Sequence, residues 1–128
     1  MQDRKRNDSP ETLTLLELVL RVQGEFRRNL EPIRVTPLQA GVILYLQRHP
    51  DAKLTDATEA LCLRLPTLSV VVNDLVENRW VIRRHSVKDR RALCLSLTRR
   101  GEALAQRIEK LVGRVSTQIN YKIVAKQK

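Results

Sequence analysis

Glycine is scarce in this chain of 128 residues. The four present, Gly24, Gly41, Gly101 and Gly113, form no Gly-x-Gly-x-x-Gly or Gly-x-x-x-x-Gly-Lys loop, which excludes a phosphate cradle of either kind. Cys62 and Cys94, with His49 and His85, lie at spacings that suit no metal site, so neither a metal nor a cofactor is expected. The cysteines read as reduced structural thiols, with redox sensing as the alternative. The chain has no Gly-x-Ser-x-Gly elbow and no nucleophile set close to a histidine, which argues against an enzyme. Aromatic side chains are confined to Phe26, Tyr45, Trp80 and Tyr121, few platforms for stacking a ligand. No segment approaches the ~18 uninterrupted apolar residues that a membrane span needs. The charged opening residues Met1 to Pro10 lead into leucines broken by Glu17 and Arg21, not into the apolar run of a signal peptide. A cytoplasmic location without membrane contact is the expectation.

Acidic residues are also in deficit: 14 Asp and Glu face 24 Lys and Arg, for a formal charge of +10. A polyanionic partner follows as the default hypothesis, against a generally solvated basic surface or contact with anionic lipid. Distribution must decide between them. The length suits a single domain, able to bury roughly two thirds of its unfolded surface.

Residues 1–10 read as a flexible polar arm. Beyond it, Leu15, Val19, Val22, Phe26 and Leu30 recur at helical spacing, predicting an amphipathic helix over 11–31 that Pro32 closes. Leu16 and Leu20 widen its apolar face beyond what one small core absorbs. Thr36-Pro37 opens a second helix over 37–48 as a cap followed by a first-turn proline. Thr55 is positioned to cap a short third helix ending near Leu61, and a fourth is expected from Pro66 to about Asn78. From Trp80 the period changes to two: residues 80–85 form one strand, and Leu93, Leu95 and Leu97 mark another. Together they predict a hairpin whose tip is Val87-Lys88-Asp89-Arg90-Arg91. Thr98 then caps a long final helix, about 98–125, with Leu104, Ile108, Leu111, Val115, Ile119 and Ile123 on one stripe.

The predicted fold is mainly α with a small β-hairpin: a winged helix-turn-helix over 37–97, wing about 80–97, flanked by N- and C-terminal dimerisation helices. Such a unit places its second helix in the major groove of duplex DNA and its wing on the backbone or minor groove. On that helix Thr67, Ser69 and Asn73 are short polar residues able to reach base edges, and Val70 suits a thymine methyl. Each also has a local explanation, as a cap or a solvated side chain. Leu68, Val71, Val72 and Leu75 cover the opposite, core-facing side. Arg64, just before the helix, is placed for a phosphate. In the wing, Lys88, Arg90 and Arg91 crowd a turn with no apolar reason to exist, and Asp89 is positioned to hold Arg91 for a narrow minor groove. Arg83 and Arg84 are placed to add phosphate contacts, or one of them instead to pair with Asp74 or Glu77 and brace the wing. The excess apolar surface of Leu15, Leu16, Val19 and Leu20, and of Ile108, Leu111, Val115 and Ile119, points to a homodimer. The competing reading is a winged helix that binds protein and uses its basic face elsewhere.

The run from Leu54-Thr55 through Leu75-Val76-Glu77, then Val81-Ile82-Arg83, Asp89-Arg90-Arg91 and Leu97-Thr98-Arg99-Arg100-Gly101, resembles the multiple-antibiotic-resistance regulator (MarR) family over roughly residues 11–125. The resemblance implies a transcriptional regulator, a repressor by expectation. It also implies a triangular homodimer on a palindromic operator, and a small anionic or phenolic effector bound where the dimerisation and DNA-binding regions meet. Arg91 becomes the minor-groove arginine, Asp89 its support, and Thr67, Ser69 and Asn73 lie on the recognition helix. Where the family usually ends that helix with glycine, this chain has Asn78-Arg79, so a left-handed residue must fall on Asn78, or on Arg79 at a cost of roughly 1 kcal/mol.

Overall fold

The computed structural model describes the backbone of residues 10–127 and the side chains of residues 14–117. The expected flexible arm and the side chains of Ile119 and Ile123 lie outside the described residues. Helix α1, Pro10–Leu30, runs into a 3-10 turn, Glu31–Ile33, that holds Pro32. Helix α2, Pro37–Arg48, starts in a capping box: the Thr36 hydroxyl accepts from the Gln39 amide at 3.1 Å, and the Gln39 side chain accepts from the Thr36 amide at 3.0 Å. Strand β1, Ala52–Lys53, leads directly into α3, Leu54–Leu61, followed by α4, Leu65–Glu77. Strands β2, Val81–His85, and β3, Leu93–Leu97, form the hairpin, and α5, Arg99–Gln127, completes the chain.

The hairpin is part of a three-stranded antiparallel sheet in the order β1-β3-β2, with Ala52 opposite Leu95 and Lys53 opposite Cys94. Sequence reasoning misses β1, because a two-residue strand has no periodicity to detect. Its presence changes two expectations. Helix α3 begins at Leu54 with Lys53 as its N-cap and no side-chain cap bond, so Thr55 lies inside the first turn instead of capping it. Strand β3 becomes the central strand, and Cys94, on the face that alternation assigns outward, is buried. Cross-strand register places it between Lys53 and Arg84.

The core gathers Leu30, Val42, Ile43, Leu46, Leu68, Leu75, Val81, Leu95 and Ile108, each no more than 1% exposed. Burial of such a side chain contributes roughly 1.5–3 kcal/mol. Helix α5 packs against both α1 and α2, and α4 against β2, so the wing and the helix preceding it share one foundation.

Three helical ends close with the same bond pair. Val35 N and Arg34 N donate to Leu30 O and Glu31 O, Leu63 N and Cys62 N to Thr58 O and Glu59 O, and Trp80 N and Arg79 N to Leu75 O and Val76 O. This is the Schellman arrangement, which needs a left-handed residue and favours glycine there. Here the residues are Arg34, Cys62 and Arg79, with φ of 56°, 56° and 63°. Of the two alternatives at the end of α4, the left-handed residue is therefore Arg79, while Asn78 stays helical at φ −80°.

Candidate nucleic-acid interface

Helices α3 and α4 are joined by the turn at Cys62, whose left-handed backbone reverses the chain within three residues, Cys62 to Arg64. Leu68, Val71, Val72 and Leu75 are buried along one side of α4, as the helical period requires. The opposite side carries Thr67 and Asn73, both exposed, Val70 at 61% exposure, and the half-buried Ser69. Arg64 is the exposed N-cap residue, and its side chain makes no capping bond.

The wing tip is organised by two short side chains. The Ser86 hydroxyl accepts from the amides of Lys88 and Asp89 at 3.2 and 3.3 Å, and the Asp89 carboxylate accepts from the Arg91 amide at 3.0 Å. Backbone bonds from Ser86 N to Ala92 O and from Ala92 N to Asp89 O, both 2.9 Å, close the loop. Asp89 thus supports Arg91 through the backbone. No ion pair joins Asp89 to the Arg91 guanidinium among the described residues, which corrects the expectation of a side-chain clamp. The outcome is a hydrogen-bonded turn from which Lys88, Arg90 and Arg91 project, exposed and without side-chain partners among the described residues. Val87, at 98% exposure, lies beside them. Ser86 was missed by sequence reasoning, although a serine opening a tight polar turn is a known local acceptor.

Arg83 and Arg84 do brace the wing, but not through Asp74 or Glu77. Adjacent residues in a strand point to opposite faces, so the pair is divided. Arg83, on the side of Val81 that meets α4, donates from Nη1 to Asn73 Oδ1 at 2.6 Å. Arg84, on the other side, donates to the Asp51 carboxylate at 3.1 Å, and the same carboxylate accepts from the Ser96 hydroxyl at 2.6 Å. The Ser96 hydrogen bond, and after it the Arg84 guanidinium, hold the Asp51 carboxyl below its ordinary pKa. Asp51 has a positive φ of 58° and was also missed, although Pro50-Asp51 is a turn signal. A cleft of about 660 Å³ opens on this side, lined among others by Asp51, Lys53, Arg84, Lys88 and Cys94.

Of the residues expected at a dimer contact, Leu15, Leu16, Val19 and Leu20 are 45–66% exposed on α1. On α5, Ile108 and Val115 are fully buried within the single chain, and Leu111 is half-buried against its core. These three lie inward because α5 packs over α1 and α2; they do not form an outward stripe. Ile119 keeps its helical backbone, but its side chain lies outside the described residues. Between α2 and α5 a second cavity of about 310 Å³ is lined by Leu44, Gln47, Arg48, Glu109, Val112 and Gly113, with Gln47 donating to Glu109 at 3.0 Å.

A family model described as MarR family matches residues 35–92, the stretch from the entrance of α2 to the end of the wing tip. Over that stretch the chain is similar to the MarR family. The HTH-type transcriptional repressor MdtR of Bacillus subtilis is 28% identical over 109 residues, covering 85% of this chain and 69% of that protein. Among solved structures, a cysteine-to-serine mutant of Escherichia coli MarR complexed with operator DNA superposes with a TM-score of 0.82 at 20% identity, over 88% of this chain and 81% of that one. Bordetella bronchiseptica BpsR, described in terms of the regulation of its DNA binding by 6-hydroxynicotinic acid, gives 0.80 at 20% identity, over 88% and 79%. These structural likenesses establish the winged-helix fold. Beyond the matched stretch, Gly101 has a plain physical role: a Cβ there would lie 2.1 Å from the Trp80 carbonyl oxygen. The first turn of α5 is seated directly on the base of the wing. Thr98 completes the joint, accepting from the Gly101 amide at 3.0 Å and donating to the Arg79 carbonyl at 2.6 Å.

Proposed function

We propose that the chain is a DNA-binding transcriptional regulator that represses by occupying a palindromic duplex operator as a homodimer. The observation that carries this reading is the wing tip: three cations, Lys88, Arg90 and Arg91, are held on a hydrogen-bonded turn without side-chain partners among the described residues, beside a helix whose outward face is polar. An extended phosphate array satisfies both features at once. Thr67, Ser69, Val70 and Asn73 face base edges in the major groove, Arg64 meets a phosphate, and Arg91, seated by Asp89, enters the minor groove with Lys88 and Arg90 on the adjoining backbone. Arg84 contributes by holding the wing against Asp51. The exposed leucines of α1 form the contact with the second subunit. A small anionic or phenolic effector fits the cavity between α2 and α5, where the winged unit meets the terminal helix and Arg48 offers a cation. The BpsR relationship supports regulation of this kind.

The test is selection of bound sequences from random duplexes, followed by titration of the enriched site at several salt concentrations. An enriched palindrome, with affinity falling steeply as salt rises, is expected. Indifference to DNA at low salt would refute the reading. Sedimentation at micromolar concentration is expected to give two chains, and Leu16→Asp with Leu20→Asp one.

A further inference from the structure

We propose that Asn73 and Arg83 act as one donor-only reading unit that selects guanine and rejects adenine at one position of each operator half-site. The inference rests on the DNA-binding reading above and specifies its chemistry. An asparagine on a recognition helix ordinarily pairs with adenine, donating to N7 and accepting from the N6 amine. That requires both ends of the amide. Here Arg83 Nη1 lies 2.6 Å from Asn73, and a guanidinium has donors only, so the amide atom facing it is the carbonyl oxygen. The acceptor end is engaged by a cation. An adenine amine approaching the remaining lone pair of that oxygen would meet a full positive charge at close range.

The amide Nδ2 of Asn73 has no partner among the described residues, and the guanidinium of Arg83 carries further N–H donors of its own. The pair therefore presents donors from both residues, and its one acceptor, Asn73 Oδ1, is already engaged by a cation. Guanine offers the complementary edge, O6 and N7, both acceptors. The bond also joins the wing strand to the recognition helix, since Arg83 belongs to β2 and Asn73 to α4. The position of the reader on the groove floor is thereby tied to the seating of the wing.

The experiment compares sequences enriched from random duplexes by the wild type, Asn73→Ala, Arg83→Met and Arg83→Lys. The position that loses discrimination in Asn73→Ala is expected to hold guanine in the wild type. Arg83→Met is expected to shift the guanine-to-adenine ratio there about tenfold toward adenine, within the range of one bidentate contact. Arg83→Lys, which still donates to the carbonyl, is expected to keep guanine. Adenine at that position in the wild type would overturn the inference however the variants fold, as would an unchanged preference in Arg83→Met. If the wild type enriches no sequence at all, it is the DNA-binding reading itself that fails.

Discussion

Gly101→Ala is the substitution on which helix propensity and packing disagree most sharply. On a solvent-facing helix alanine is favoured over glycine by about 1 kcal/mol, so propensity alone predicts a more stable protein. The structure predicts the reverse. The added Cβ would stand 2.1 Å from Trp80 O, 3.0 Å from Trp80 C and 3.2 Å from a methyl of Leu97, whereas ordinary contact begins near 3.4 Å. The first two are backbone atoms, so no rotamer change relieves the clash; Trp80 or the first turn of α5 must move by more than ~1 Å. That corner carries the bonds from Thr98 N to Trp80 O at 3.0 Å and from the Thr98 hydroxyl to Arg79 O at 2.6 Å. Overpacking costs about 1–3 kcal/mol and each strained hydrogen bond about 1 kcal/mol, which leaves a net loss of about 2–4 kcal/mol after the propensity gain. In urea denaturation at fixed protein concentration, with a slope of about 2 kcal/mol/M, the midpoint should fall by about 1–2 M. Gly113→Ala is the matched comparison, in the same helix with nothing within 4 Å of the added atom, and it should gain up to about 1 kcal/mol. If the two variants shift the midpoint alike, the seating of α5 on the wing base is wrong.

Arg79→Gly should stabilise the fold by about 0.5–1 kcal/mol, because the left-handed φ of 63° strains any side-chain-bearing residue; an equal or lower urea midpoint would refute this. Arg91→Ala should weaken operator binding by about 1–3 kcal/mol and reduce the salt slope by about one charge per subunit, with Asp89→Ala acting in the same direction more mildly through the loop backbone; wild-type binding by Arg91→Ala at every salt would remove the wing from the interface. The Asp51 carboxyl titrates lower in the folded chain than unfolded, so its tie to Ser96 and Arg84 is fully present at neutral pH and is lost only as pH falls through that lowered value, below about pH 4. NMR of the Arg84 side chain should be flat from about pH 7 to 5, change only in acid, and show no such acid transition in Asp51→Asn; a transition near neutral pH would contradict the assignment.

The period of the chain alone determined its helices, its hairpin and the buried side of α4, because a 3.6-residue repeat and a two-residue repeat each expose their core face in the sequence. Thr36-Pro37-Leu38-Gln39 likewise spells out its capping box, since every partner lies within three residues. What the sequence could not determine are contacts between residues distant along the chain. Strand β1 is two residues long and exists only because β3 offers it an edge. That edge buries Cys94, places Asp51 within reach of Arg84 and Ser96, and begins α3 one residue ahead of the threonine expected to cap it. The partners of Arg83 and Arg84 depended on which face of β2 meets α4, so both arginines were legible as wing braces while neither partner was. The α5 stripe was visible, but its division between the chain's own core and any outer surface depends on how α5 crosses α1 and α2. A hydrophobic period states which residues avoid water, and only the packing of the helices states what they avoid it against.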